Sequence, residues 1–337
     1  MNRPARRMDL KGLRTLRANE YRVLQEAARR APHSDGHVCP PNGECGEAAP
    51  PILIGGINTQ NIGKMDAGDR KHSIGMDWVQ GTIPFEKMDL VFSYLTTMCG
   101  SDPEIYNHGF LGYQAAAEWH PYGIKVMWDL DTSNRMRHGN RILLQIGGTG
   151  LGCFPAQSLY QFCRDLCVKF SFKCSRNDLC FDDYEKIIRP DEVAEFADQG
   201  SYKGFRKHRP IIERKRNGEL IGDSIYFGTR GKNGAGKFLR CYGKDLESKG
   251  EVNAVRWEVE FSKERANAVF FELAMSVDVT EFATKLAMFI GGAIDFIERN
   301  GKRSDPIDRL AFWEQILDAL GACLLYTSDA ADEVSPV

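Results

Sequence analysis

At 337 residues with 42% hydrophobic and 27% charged side chains, the chain can enclose a substantial core in one large domain or two small ones. A net charge of −2 excludes a polycation, so any affinity for nucleic acid has to reside in local basic patches. The longest apolar run, Phe282–Phe296, contains charges and glycines and is too short to span a bilayer, so no membrane partner is expected. Ten cysteines are scattered along the chain without a preceding secretory signal, which suits reduced, buried thiols in a cytoplasmic protein.

Residues 1–30 show helical spacing (Leu10, Leu13, Leu16, Tyr21, Leu24) with nine Lys/Arg against three acidic residues. They read as a basic helical arm, either simply solvated or in contact with phosphates. Residues 31–70, rich in Pro, Gly and small polar residues, read as a flexible linker. Within them His37, Cys39 and Cys45 lack a second ligand pair at finger spacing, so a zinc site is not expected. From Ile74 the pattern becomes that of a folded domain. GMDWVQGTIPF predicts a strand, Phe85–Met98 a helix, KVMWDLD a strand, and RILLQIGGTGLGCF a strand running into a glycine turn. Pro155–Lys169 has helical spacing, with Leu159, Phe162 and Leu166 on one face. FSFKCSRNDLCFDDYE, SIYFGTR, KFLRCYGKD and AVRWEVEFS are strand-like, whereas ERANAVFFELAM, EFATKLAMFIGGAIDFIER and DRLAFWEQILDAL are helical. Residues 71–322 therefore predict one α+β domain, a mixed or antiparallel sheet with a helical C-terminal part. Cys323–Val337 bears no relation to the helix before it; CLLYTSDAADE reads as a translated adapter end, and the natural chain is expected to continue past Ala322.

Two stretches raise questions of chemistry. YKGFRKHRPIIERKR, residues 202–216, gathers seven Lys/Arg around an aromatic pair, Tyr202 and Phe205, expected to be exposed. Arg206, Lys207, Arg209, Arg214, Lys215 and Arg216 are its candidate DNA contacts. GKNGAGKF, residues 231–238, stops one residue short of a phosphate loop, because Phe238 stands where a hydroxyl must hold magnesium. The residues after it alternate like a strand and those before it do too, so the segment predicts a β-hairpin with a glycine-rich turn.

Alternate strand residues face opposite sides. Arg240, Tyr242 and Lys244 then share one face, as do Asp178, Cys180 and Asp182, and Arg256, Glu258 and Glu260. One reading is an ordinary sheet with a face in water. The other starts from the charges themselves: clustered carboxylates suit Mg²⁺ or Mn²⁺, and a tyrosine between cations sits where a phosphodiester would be held. The cations would favour its phenolate, which could attack phosphorus and form a phosphotyrosyl link. Arg230, Arg240 and Lys244 are candidate phosphate clamps, with surface ion pairs as the alternative. Tyr226 is the rival nucleophile, and Asp77 is either structural or part of the acidic cluster.

SRNDLCFDD, YFGTR followed by RCYGK, and VRWEVEF resemble, in order and spacing, the replication initiation factors of rolling-circle plasmids and phages. That trans-acting Rep class also includes relaxases of some conjugative elements. DWVQGTIPF, LLQIGGTGLGCF and IDFIERN…DRLAFWEQIL extend the resemblance over roughly residues 74–320. It implies that Tyr242 is the nicking nucleophile and that Asp178, Asp182 and Glu258 hold the metal. It further implies origin DNA as substrate, a host helicase and polymerase as partners, and a homodimer. Asn177, Cys180, Gly243 and the glycine-rich GKNGAG loop depart from the family pattern without removing a reacting group, and the His-hydrophobic-His metal motif of the other large rolling-circle class is absent. A DNA-binding regulator that keeps the fold but does not cut is the alternative function.

Overall fold

The computed structural model describes residues 71–231, 234–298 and 308–332, with backbone only from residue 322 onward. The basic arm, the linker with His37, Cys39 and Cys45, and Lys232–Asn233 of the glycine loop lie outside the described residues.

Chain order places β1 (His72–Pro84), α1 (Met88–Cys99), β2 (Glu104–Tyr106), β3 (Ala115–Trp119), β4 (Ile124–Trp128), α2 (Thr132–Arg137) and β5 (Arg141–Gly147) first. A one-turn helix α3 (Gly148–Leu151), then α4 (Ala156–Val168), β6 (Lys173–Asp183), α5 (Pro190–Asp198), β7 (Tyr202–Lys203) and β8 (His208–Arg214) come next. The chain continues through β9 (Leu220–Gly228), β10 (Lys237–Gly243), α6 (Lys244–Glu247), β11 (Val255–Ser262), α7 (Lys263–Ala274), α8 (Val279–Gly291), β12 (Asp295–Phe296) and α9 (Ala311–Asp332).

Ten strands form one sheet in the order β2-β3-β4-β5-β1-β6-β11-β10-β9-β8. Its ladders are antiparallel throughout, so the expected α+β class holds without a parallel pair. Period-two alternation sends Leu179, Phe181, Val255, Trp257, Val259, Leu239, Cys241, Ile225 and Phe227 to one side, where α5, α7, α8 and α9 cover them and α4 packs on α7 and α8. α4 carries Leu159, Phe162 and Leu166 on its buried stripe, as its spacing predicts. Trp313 of α9 closes the core, its ring tilted against Trp257 at 5.4 Å and Phe296 at 5.3 Å between centroids.

β1 and β6 approach closely at a bulge, and only glycine fits there. A Cβ on Gly81 would come within 2.4 Å of both the Lys173 carbonyl and the Phe172 ring. GKNGAGKF is a hairpin connection, as its alternation predicts. β9 and β10 pair from Phe238↔Gly228 to Tyr242↔Ser224, and Gly228, Gly231 and Gly236 carry the positive φ angles of the turn region.

The aromatic pair of the basic stretch is not exposed. Tyr202 packs edge-on against Phe227 at 5.1 Å and Phe205 lies 6.0 Å from the same ring, both half-buried at the margin of the core. The sequence pattern does not reveal β2 to β4, α2 and α5 in full. β2 is three residues long, β3 is AAAEW, and the alanines there carry little strand signal of their own. Residues 208–214, a basic patch by composition, form the outermost strand β8.

Candidate active site on the second face of the sheet

The second sheet face bears the polar residues. Register places three rows across it: Ser224–Tyr242–Arg256–Asp182, Tyr226–Arg240–Glu258–Cys180, and Phe238–Glu260–Asp178–Trp78. The rows arise because every second residue of each strand faces this side, most of them polar, while the residues between them turn to the other face. Arg256, Glu258 and Glu260 had to be either water-facing or a reaction centre; they are buried, with Arg256 at 0% and Glu258 at 1% relative exposure. Such charges are stable there only when paired.

Each is paired. Arg256 donates from Nε and Nη2 to the two oxygens of Asp182 at 2.5 and 2.7 Å, and from Nη1 to Asp77 at 2.7 Å. Asp77 thus joins the cluster. It reaches in over α3, where a Cβ on Gly148 would stand 2.5 Å from its Oδ1. Arg176 holds Asp178 through both carboxylate oxygens and lies over the Trp78 ring, 4.9 Å from its centroid. Burial pushes the Asp178 carboxyl up, against the opposing pull of Arg176 and Arg240. Arg240 is bound to Glu258 and stands 3.9 Å from Asp178. Arg230 pairs with Glu260 at 2.6 Å and covers the Phe238 ring.

Tyr242 sits among these groups, its hydroxyl donating to Glu258 Oε2 at 3.2 Å. The ring therefore lies on the charged face rather than in the hydrophobic core. Its ionisation departs from the sequence expectation. Burial raises the phenol well above its ordinary value, Asp77 and Glu247 add to the rise, and Arg256 and Arg240 only partly oppose it. The cations do not produce a resting phenolate: 9% exposure leaves too little water to solvate one. Lys244 departs as well. β10 ends at Gly243, so Lys244 opens α6, buried, paired with Glu247 at 2.7 Å, with its Nζ 5.9 Å from the Tyr242 ring centroid. Tyr226 shares the face, edge-on to Phe238 at 5.4 Å, with no hydrogen bond from its hydroxyl among the described residues.

The expected metal ligands do not form a ligand set as they stand. Asp178, Asp182 and Glu258 are each held by an arginine, and among the described residues no group of three or more His, Cys, Asp or Glu is placed to hold an ion. The six candidate DNA contacts, Arg206, Lys207, Arg209, Arg214, Lys215 and Arg216, are all exposed, on β8 and the loops at its two ends. Sequence reasoning missed Arg176, Arg256 and Glu260 as site residues. Their signal was present in the strand alternation, with Arg176 two residues before Asp178 and Arg256 two before Glu258.

The replication initiation factor family model matches residues 172–335, a region holding every one of these rows except Trp78. Over those residues the chain is similar to the replication initiation factor family. The chain also shares its fold with the rolling circle replication initiator protein from Geobacillus stearothermophilus. That comparison gives 18% identity and a TM-score of 0.60, covering 74% of this chain and 96% of the other. No curated protein matches the chain. Among the described residues no helix is long and apolar enough to cross a membrane.

Proposed function

We propose that this protein is a replication initiation factor that starts rolling-circle replication by nicking one strand of its origin DNA, with Tyr242 as the nucleophile. The contact of the Tyr242 hydroxyl with Glu258 carries the reading. A phenol that burial keeps protonated needs a proton acceptor already in contact, and Glu258 is that acceptor. In the reaction Tyr242 Oη bonds to the scissile phosphorus and its proton passes to Glu258 Oε2. The bond from phosphorus to the 3′ oxygen breaks, and that oxygen takes a proton from water. The products are a 5′-phosphotyrosine and a 3′-OH primer. The phosphodiester energy stays in the tyrosyl link, so a later 3′-OH can reverse the step without a nucleoside triphosphate. Arg240 and Arg256 stabilise the oxygen that becomes anionic, and Arg230 and Lys244 are proposed phosphate contacts.

Asp178, Asp182 and Glu258 have the oxygen chemistry that Mg²⁺ or Mn²⁺ takes, and a bound ion would polarise the scissile phosphate. Because each carboxylate holds an arginine, no step above uses an ion. A host helicase and polymerase would act on the exposed primer, and a homodimer would supply the second strand transfer at termination. A conjugative relaxase would use the same chemistry and differ in the fate of the nicked strand.

The test is incubation with supercoiled origin DNA, with and without EDTA. The expected products are open-circle DNA and an adduct that survives denaturation of the protein. Tyr242→Phe abolishes the adduct and Tyr226→Phe retains it. An adduct persisting in Tyr242→Phe refutes the assignment, and binding without a nick under every condition leaves a DNA-binding regulator.

A further inference from the structure

Beyond Tyr242 the same sheet face opens into a cavity of about 230 Å³. Its floor is Ser224 and Tyr226 of β9 with Tyr242 of β10; Ile211 and Glu213 of β8 and Leu246 of α6 form the walls. Ser224 lies directly across the ladder from Tyr242, and Ile211 across from Ser224 on the other side. The Glu213 carboxylate folds over Gly222, where a Cβ would meet its Oε2 at 3.4 Å, so this side chain reaches across the cavity floor. Neither this carboxylate nor the Ser224 hydroxyl has a hydrogen bond or ion pair among the described residues.

The chemistry of the lining selects its occupant. Two tyrosines with Ile211, Ile221 and Leu246 offer ring and aliphatic surface beside the polar groups of the lining, and an ionised carboxylate can only accept hydrogen bonds. A phosphate inside the cavity meets the carboxylates of Glu213 and Glu247, whereas Arg240, the cation in the lining, is already paired with Glu258. The volume falls below the roughly 300 Å³ at which pockets for drug-sized molecules begin, which suits one heteroaromatic ring system. Adjacency to the nucleophile makes that ring part of the nucleotide being cut. We propose that the cavity receives the base next to the scissile phosphate, turned out of its stack. Glu213 and Ser224 then select a base that presents an amino donor (adenine, cytosine or guanine) over thymine, whose N3–H lies between two carbonyl oxygens that a carboxylate repels. This rests on the reading of Tyr242 as the nicking residue.

The experiment uses single-stranded DNA randomised over a central window. Covalent adducts of the full chain are captured under denaturing conditions, and the DNA in them is sequenced. Thymine is expected to be depleted about tenfold at one of the two positions flanking the nick, the discrimination of one good base contact. Glu213→Gln, an exposed position whose amide can both donate and accept, should level the four bases at that position. Equal representation of thymine at both positions in the wild type overturns the proposal while the adducts themselves uphold the nicking chemistry. If no adduct forms, the nicking reading fails first, and oligonucleotides carrying 2-aminopurine at successive positions decide the pocket alone. Stacking against the tyrosines should quench one position severalfold, and Tyr226→Ala should abolish that quench. Emission that is unchanged at every position on saturation overturns it.

Discussion

Arg256 has no exposed surface and serves two carboxylates at once. Burial works against its charge, yet Cys180, Asp182 and Asp77 together hold the guanidinium protonated, well above the ordinary arginine value. Removing it strands Asp182 in a dry setting. Arg256→Leu is therefore expected to lower unfolding free energy by about 3–5 kcal/mol, read from urea melts, and Arg256→Leu with Asp182→Leu to recover much of that loss. Glu258 makes a different claim, about rate. Glu258→Gln keeps the shape and removes the proton acceptor, so nicking should slow by about 10²-fold or more. The sign of the remaining pH dependence comes from the raised Tyr242 phenol. Without a base in contact, the reactive phenolate fraction rises about tenfold for each pH unit below that pKa. The variant's rate should climb toward alkaline pH more steeply than the wild-type rate, which has the acceptor in contact. A parallel pair of pH–rate profiles would rule out Glu258 as the acceptor.

At the scale of elements, β8 ends the sheet, with no further strand beside it among the described residues. Pro210 and the flanking cations discourage another strand from pairing there. Its charges fall into two groups: Arg206, Lys207 and Arg209 lead into the strand, and Arg214, Lys215 and Arg216 lead out of it. The second group is partly engaged, since Lys215 binds Glu219 at 2.7 Å and Arg214 donates to the Gly218 carbonyl at 3.1 Å. The first group is accordingly the stronger candidate for phosphate contacts. Replacing Arg206, Lys207 and Arg209 together by glutamine should weaken DNA binding for all sequences alike. The slope of log affinity against log salt should become shallower by roughly one for each phosphate that is no longer neutralised. Titrations at several salt concentrations check this, and an unchanged slope would remove these residues from the interface.

Across the whole molecule, buried ionisable groups set the alkaline limit. Burial raises the phenols of Tyr94 and Tyr242 well above their ordinary value, whereas tyrosines of an unfolded chain titrate near 10. Below about pH 10 both states keep these protons and stability is unaffected. As pH rises further the unfolded state loses them first, so stability falls. Tyr242→Phe should flatten that decline in urea melts from pH 9 to 11, whatever its effect on nicking. The thiols obey the same physics. Burial pushes Cys167 up to about 11 and Cys99 to about 12, and the seven described cysteines are free. Iodoacetamide at pH 8 should spare the fully buried Cys163, Cys174, Cys180 and Cys241 in the folded protein and label the half-buried Cys153, as peptide mapping would show.

Element type and facing were legible in the sequence because both are local. A period of two assigned Tyr242 and Arg240 to one face and Leu239 and Cys241 to the other before any partner strand was known. Phe238 by itself turned a near-miss phosphate loop into a hairpin. Burial and pairing were decided only in three dimensions. Arg256 meets Asp182 from 74 positions away and Asp77 from 179, and no local pattern specifies such partners. The same assembly desolvates the face that could have lain in water, keeps the Tyr242 phenol protonated and divides the carboxylates among arginines. Solvation and charge neutralisation depend on every strand and loop that closes around a group, and those come together only when the sheet does.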